Sequence, residues 1–322
     1  MIDRAKDILA DLIAFPSVSS ETNLPIIAYC EDLLKAAGAR CERQYDATGL
    51  KANLWATLGP DGDGGSILSG HTDVVPVEGQ QWTTDPFKVV DKDGKLFGRG
   101  TCDMKGFVAC VLASLPKFSD ARSPVHVALT YDEEVSCLGA IELAQHLSAT
   151  GVRPAIALIG EPTEMDVIQG HKGCYEYSVT FRGKEGHGSR ADLGVNAAVF
   201  AARYATRLAE LAEELRDRST HIAGFEPPWP TVNIGRIQAG NATNVIPGDA
   251  RVDWEMRPVE DADARWLLEN LDGFVRDVLE PEMQATDPET GITRTTVGEF
   301  PPFLPDDPNP ARDLLLSLTG AN

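Results

Sequence analysis

Four short clusters of acids and imidazole could together hold a metal ion: Gly70-His71-Thr72-Asp73, Gly98-Arg99-Gly100-Thr101-Cys102-Asp103, Asp132-Glu133-Glu134 and Gly160-Glu161-Pro162. Imidazole nitrogen mixed with carboxylate oxygen suits a hard or borderline divalent cation, provided separated segments deliver the donors to one point. A two-metal site would want one more histidine than these clusters supply. His71 and Asp73 are two residues apart, so an extended backbone puts both on one side. His71 can then ligate while Asp73 accepts from its second ring nitrogen and fixes the tautomer. Asp103 follows a glycine-rich turn, and its two oxygens could serve two cations; an aspartate just before an apolar helix is also a good N-cap. Glu133 and Glu134, adjacent at a strand end, point different ways and suit two roles. One could ligate while the other takes a proton from water, although two acids there also suit a helix N-terminus. Glu161 precedes Pro162, which holds its backbone extended. His126, His146 and His221 fall in a strand, a helix and a loop and are assigned to structure.

Each cluster ends an apolar run, at residues 66–69, 95–97, 125–131 and 155–159, and each run reads as a strand. Polar residues at the ends of several buried strands are how α/β proteins build a site in the crevice above a sheet. Helical spacing covers 2–15, 25–37 (closed by Gly38), 104–115 and 138–147, with a strand at 53–58. A hairpin joins 88–90 to 95–97 across Asp93-Gly94. Beyond Gly173 the pattern changes. Residues 175–181 alternate like a half-buried antiparallel strand, followed by a helix at 195–215, strands at 231–238 and 250–256, and a helix at 264–279. That order fits a small α+β insert with helices on one sheet face, left through 280–291. Asn309-Pro310 opens a last helix, which Gly320 closes. The expected division is a catalytic domain over 1–173, an insert over 174–288, and a return segment over 289–322. So short a return would leave a discontinuous first domain unfinished, and the chain reads as truncated.

With 322 residues and 43% hydrophobic content, there is enough material for two cores. The formal charge of −20 without a basic stripe argues against a nucleic-acid partner and favours solubility. Residues 1–14 form a charged amphipathic helix rather than a signal peptide, and no apolar stretch approaches the roughly eighteen residues of a membrane span. Six cysteines without a C-x-x-C pair read as reduced thiols of a cytoplasmic protein.

Taken together, the clusters resemble the M20 metallopeptidase family. The matching text is Ser69-Gly70-His71-Thr72-Asp73-Val74-Val75-Pro76-Val77, Trp82 with Pro86-Phe87, Leu96-Phe97 through Met104-Lys105-Gly106, Tyr131-Asp132-Glu133-Glu134-Val135, and Gly160-Glu161-Pro162-Thr163. The resemblance implies a mixed-sheet, zinc-peptidase-like catalytic domain with an inserted α+β ferredoxin-like lid and dimerisation domain. It implies two divalent cations, zinc or cobalt. His71, Asp103 and Glu161 would hold the first, Asp103 would bridge, and Glu134 would hold the second. Asp73 would orient His71, Glu133 would be the general base and acid, and the peptide after Asp103 would be cis. His187, in Gly186-His187-Gly188-Ser189, resembles a lid histidine that stabilises the oxyanion, often across a dimer. Asn244 and Arg257 resemble a substrate-binding pair, with Arg257 gripping a carboxylate through a bidentate fork.

In the family the second cation's histidine lies in a closing segment of the catalytic domain. No histidine follows His221 here, so the second site is expected to be incomplete. His171, in the passage into the insert, does not replace it. Thr101-Cys102 before Asp103, and Glu161-Pro162-Thr163-Glu164-Met165, resemble the branch acting on N2-acetyl-L-ornithine. The implied activity is removal of its acetyl group, in arginine biosynthesis, by a homodimer joined through the lid and acting on small N-acyl amino acids. The alternatives are a succinyl-diaminopimelate desuccinylase or aminoacylase of the same family, or an idle fragment that keeps only the fold and binds.

Overall fold

The computed structural model describes residues 1–320 as two compact units, Met1–Val167 with the segment from Asn309 onward, and Ile168–Pro308. In the first unit, α1 (Ile2–Ile13) and α2 (Leu24–Ala36) precede β1 (Arg40–Tyr45), β2 (Ala52–Leu58), β3 (Ser66–His71), β4 (Val90–Lys92) and β5 (Lys95–Phe97). Then α3 (Lys105–Ser114), β6 (Val125–Thr130), α4 (Leu138–Thr150) and β7 (Ile156–Ile159) alternate. The mixed sheet runs β1-β2-β6-β3-β7, with β3 parallel to β6 and β7, and β2 antiparallel to β1 and β6. Its strands bury both faces. Leu54, Leu58, Val127 and Leu129 share one core with Leu12, Ile27, Leu34 and Leu112 of the helices. Their neighbours Trp55 and Ala128 pack instead with Leu143 of α4. Burial on two sides is why β2 reads as a nearly unbroken apolar run.

Because β3, β6 and β7 are parallel, their C-terminal ends lie along one edge, with His71 opposite Thr130 and Ser69 opposite Ile159. Three of the four acidic and imidazole clusters leave the sheet there, as strand order in an open α/β sheet requires of a site.

The second unit contains β8 (Cys174–Arg182), β9 (Gly186–His187), α5 (Ala197–Arg218), β10 (Thr231–Ala239), β11 (Val245–Ile246), β12 (Asp249–Arg257), α6 (Asp261–Phe274), α7 (Glu280–Gln284) and β13 (Gly291–Phe300). An antiparallel sheet in the order β10-β12-β8-β13 turns Tyr177, Val179, Phe181, Val252, Trp254 and Met256 into a core with Leu208 and Leu211 of α5 and Leu267 and Leu271 of α6. The last helix, α8 (Pro310–Thr319), belongs to the first unit.

Three points differ from expectation. The polar run at 40–45, to which the sequence reading assigns no element, is an edge strand, β1. The hairpin pairs 90–92, not 88–90, with 95–97, because Lys92 sits directly opposite Lys95 and Asp93-Gly94 forms a two-residue turn with both φ positive, at 53° and 73°. The insert extends over Ile168–Pro308 instead of 174–288. The reason is pairing: β13 runs along the whole of β8, and His171 bridges Phe303. Residues 289–308 therefore complete the second sheet and do not return to the first. No helix among the described residues is long and apolar enough to cross a membrane.

Candidate active site

His71 ends β3 with its ring buried and its Nε2 at the focus of the acids. That nitrogen lies 3.0 Å from Asp103 Oδ1, 3.8 Å from Glu133 Oε2 and 3.8 Å from Glu161 Oε1. Donor atoms of His71, Asp103 and Glu161 fall within 4.8 Å of one another, as do those of His71, Glu133 and Glu134. The first unit thus brings together all four expected ligands and the expected base.

Local structure explains how each arrives. Asp103 is carried by a turn in which Thr101 Oγ1 donates to the Gly98 carbonyl at 3.0 Å and the Lys105 N–H to the Gly100 carbonyl at 2.9 Å. The Asp103–Met104 peptide is cis, as the resemblance implies. Lys105, fully buried, donates its ammonium protons to the carbonyls of Leu12 and Phe15 at 3.1 and 2.8 Å, fastening the start of α3 to the end of α1. Glu161 follows Gly160, whose Cα abuts Phe107 so closely that a Cβ would lie 2.0 Å from the ring. Only glycine fits there.

Asp73 differs from expectation in an instructive way. His71 Nδ1 is 2.9 Å from the backbone carbonyl oxygen of Asp73 and 3.5 Å from its Oδ1. The carbonyl is the nearer acceptor; a proton held there leaves the Nε2 lone pair free to ligate. The Asp73 carboxylate accepts instead from Ser19 Oγ at 2.6 Å and from the backbone N–H groups of Glu133 and Glu134 at 3.1 and 3.3 Å. It anchors the acidic loop as well as facing the imidazole. Ser19 and its neighbour in that network, Lys51, carry no signal in sequence, because nothing in their spacing ties them to the acidic clusters.

The electrostatics show a charge imbalance. Burial raises the proton affinity of Glu133 and Glu134; Asp103 adds to it and His71 opposes it. Glu161 is pushed up to about 7, by burial first and then by Asp103, Glu133 and Glu134 against the pull of His71. Burial alone would lower His71, yet Asp73, Glu133 and Glu161 outweigh it and take the imidazole to about 9. Among the described residues no lysine or arginine pairs with Asp103, Glu133 or Glu161; their ion-pair neighbour is His71. Crowded carboxylates whose ion-pair neighbour is a single imidazole, all aimed at one point, fit a divalent cation.

The second unit places its candidates in two locations. His187 of β9 pairs with Val245 of β11, and the Gly188 N–H donates to the Asn244 carbonyl at 2.8 Å, so His187 and Asn244 are neighbours. The exposed His187 ring meets Ser189 Oγ at 2.8 Å. Arg257 lies at the far end of β12, eight residues beyond Asp249, or roughly 27 Å at about 3.4 Å per residue. Its guanidinium is held by Glu255, with Nε and Nη2 at 2.9 and 2.6 Å. Within the unit, Arg257 and Asn244 are not brought together. Elsewhere, His126 meets Thr57 and stacks on Trp55, His146 faces Glu42, His221 meets the Arg216 carbonyl, and His171 stacks on Phe303.

The sequence profile of peptidase family M20/M25/M40 matches residues 67–305, well over half of the chain. An acetylornithine deacetylase of Myxococcus xanthus is 38% identical over 295 residues, covering 90% of this chain and 76% of its own length. One from Shigella sonnei is 35% identical over 308 residues, covering 93% and 77%. An M20 family metallo-carboxypeptidase from Sulfolobus solfataricus shares the fold with a TM-score of 0.72 at 16% identity, over 99% of this chain and 84% of that one. On the span of the profile match and the identity to these relatives, the chain belongs to peptidase family M20/M25/M40 and is a metal-dependent amidohydrolase.

Proposed function

We propose that this amidohydrolase removes the acetyl group from N2-acetyl-L-ornithine, giving ornithine and acetate, as a step of arginine biosynthesis. The observation that carries the chemistry is the convergence of Asp103, Glu133 and Glu161 on one buried imidazole nitrogen. Support for the substrate comes from the two deacetylases at 35–38% identity. His71, Asp103 and Glu161 would hold one divalent cation, zinc or cobalt, with Asp103 shared and Glu134 as the second protein donor to another. Such cations, when bound, polarise the amide carbonyl and make water easier to deprotonate. Glu133 takes a proton from the attacking water and delivers it to the amine nitrogen as the C–N bond breaks. Its raised proton affinity makes it a stronger base than an exposed glutamate. Its backbone N–H, fixed by Asp73, keeps the side chain in place between the two transfers.

In the same reading His187 donates a hydrogen bond to the carbonyl oxygen as that oxygen gains charge. Asn244 and Arg257 contact the substrate, and Arg257 exchanges Glu255 for the substrate carboxylate. A homodimer forms through the second unit. The six free thiols favour a reducing, cytoplasmic setting. The test is a comparison of kcat/KM for N2-acetyl-ornithine and N-succinyl-diaminopimelate on the zinc- and cobalt-loaded chain. Faster cleavage of the acetyl substrate is expected; faster cleavage of the succinyl one would reassign the enzyme to desuccinylation.

A further inference from the structure

The loop bearing Glu133 and Glu134 is held from behind by polar contacts that the proton transfers do not use. Asp132, its first residue, has a φ of 58°, in the left-handed region that a side chain with a Cβ enters only when its surroundings fix it. Its carbonyl accepts from the N–H groups of Ser136 and Cys137 at 3.0 and 2.7 Å, curling the loop into a hook. Its Oδ1 meets Lys51 Nζ at 2.5 Å, and the same ammonium donates to the Ser19 carbonyl at 2.6 Å. Ser19 Oγ donates to Asp73 Oδ2, and Asp73 accepts the N–H groups of Glu133 and Glu134. The contacts close a ring: Lys51, Asp132, the Glu133-Glu134 backbone, Asp73, Ser19 and Lys51 again.

We infer that Lys51 is a positioning residue, which through Asp132 and Ser19 fixes the backbone from which Glu133 and Glu134 reach the His71 imidazole. The inference rests on the proposed role of Glu133 in proton transfer. The physical reason is charge and geometry together. Without the ammonium, the Asp132 carboxylate is left unpaired on a left-handed backbone, directly before two further acids, Glu133 and Glu134. The hook then loses the contact that holds it, and a displacement of about 1 Å at a reacting group can cost a hundredfold in rate.

The experiment compares the whole 322-residue chain with its Lys51→Met, Lys51→Arg and Ser19→Ala forms. Each is read by thermal melting, by the visible absorption of the cobalt-loaded protein, and by kcat and KM on N2-acetyl-ornithine. Lys51→Met is expected to fold, to lose kcat by about 10- to 100-fold with KM within about twofold, and to change the cobalt spectrum. Lys51→Arg, which keeps the charge, is expected to recover most of kcat, and Ser19→Ala to show a smaller loss in the same direction. The inference is overturned if folded Lys51→Met keeps the wild-type kcat and cobalt spectrum, or if its kcat falls only in proportion to the unfolded fraction. Should the wild-type chain not cleave the substrate at all, the functional reading fails, and the cobalt spectrum alone decides the role of Lys51.

Discussion

Glu133 and Glu134 carry the same side chain on adjacent residues, and their different assignments rest on the resemblance to the M20 family. Glu133 Oε2 approaches His71 at 3.8 Å, and both backbone N–H groups are fixed on Asp73. If Glu133 carries the proton, Glu133→Gln keeps the shape and removes the base. Its kcat should fall by about 10²- to 10⁴-fold while zinc affinity, read by calorimetry, changes little. Glu161→Gln should do the reverse and weaken zinc, since a neutral amide is a poor ligand beside His71 and Asp103. Were Glu133→Gln to lose zinc as Glu161→Gln does, Glu133 would be a ligand and not the base. At this scale sequence was most informative, because imidazole and carboxylate types are rare enough in short motifs to stand out. The full role of Asp73 was hidden for a physical reason: its carboxylate binds backbone N–H groups, which every residue but proline offers.

Elements show where periodicity carries information and where it fails. The long helices and buried strands β2 and β6 were legible because their apolar residues recur with the period of the element. Strand β1, with the sequence Arg-Cys-Glu-Arg-Gln-Tyr, is a polar edge with no such period. Strand β13 was hidden by a bulge between Thr296 and Gly298, which leaves Val297 outward and interrupts the alternation. Element contacts also carry the site. Gly160, at the exit of β7, packs on Phe107 of α3, so Gly160→Ala forces a shift at this contact and is expected to displace Glu161 from His71. Zinc affinity should drop at least about tenfold, and wild-type affinity in that variant would disprove the coupling.

A second element-level prediction concerns acid stability. Glu31 of α2 is nearly buried; desolvation favours its protonated form, but Lys35 and Arg43 of β1 overcome this and hold its pKa below the ordinary value. A lowered folded pKa stabilises the fold above the ordinary glutamate pKa of about 4.3, and that contribution is lost as pH falls through the folded value. Glu31→Gln should therefore cost about 2 kcal/mol in urea denaturation at pH 7. The difference from wild type should shrink in acid, and a gap that is constant or grows as pH falls would refute the assignment.

Among the described residues each unit has one large core, with a smaller cluster of Trp55, Ala128 and Leu143 in the first, and the proposed cation ligands all belong to the first unit. A ligand that binds only the folded state stabilises it by about 2.7 kcal/mol at a hundred times its Kd. Zinc should accordingly raise the melting transition of the first unit and leave that of the second in place, as scanning calorimetry with and without metal would report. Equal shifts in both, or none, would contradict that localisation. The excess of 49 acidic over 29 basic residues gives the molecule a field that draws cations in general, yet the site depends on a few groups at ångström distances and not on net charge. The most direct measurement is a calorimetric zinc titration of the metal-stripped chain beside its His71→Ala form. One tight equivalent is expected in the first, weakened by more than about a hundredfold in the second, beyond the effect of losing an outer partner. Equal zinc affinity in the two proteins would contradict a cation site built on His71.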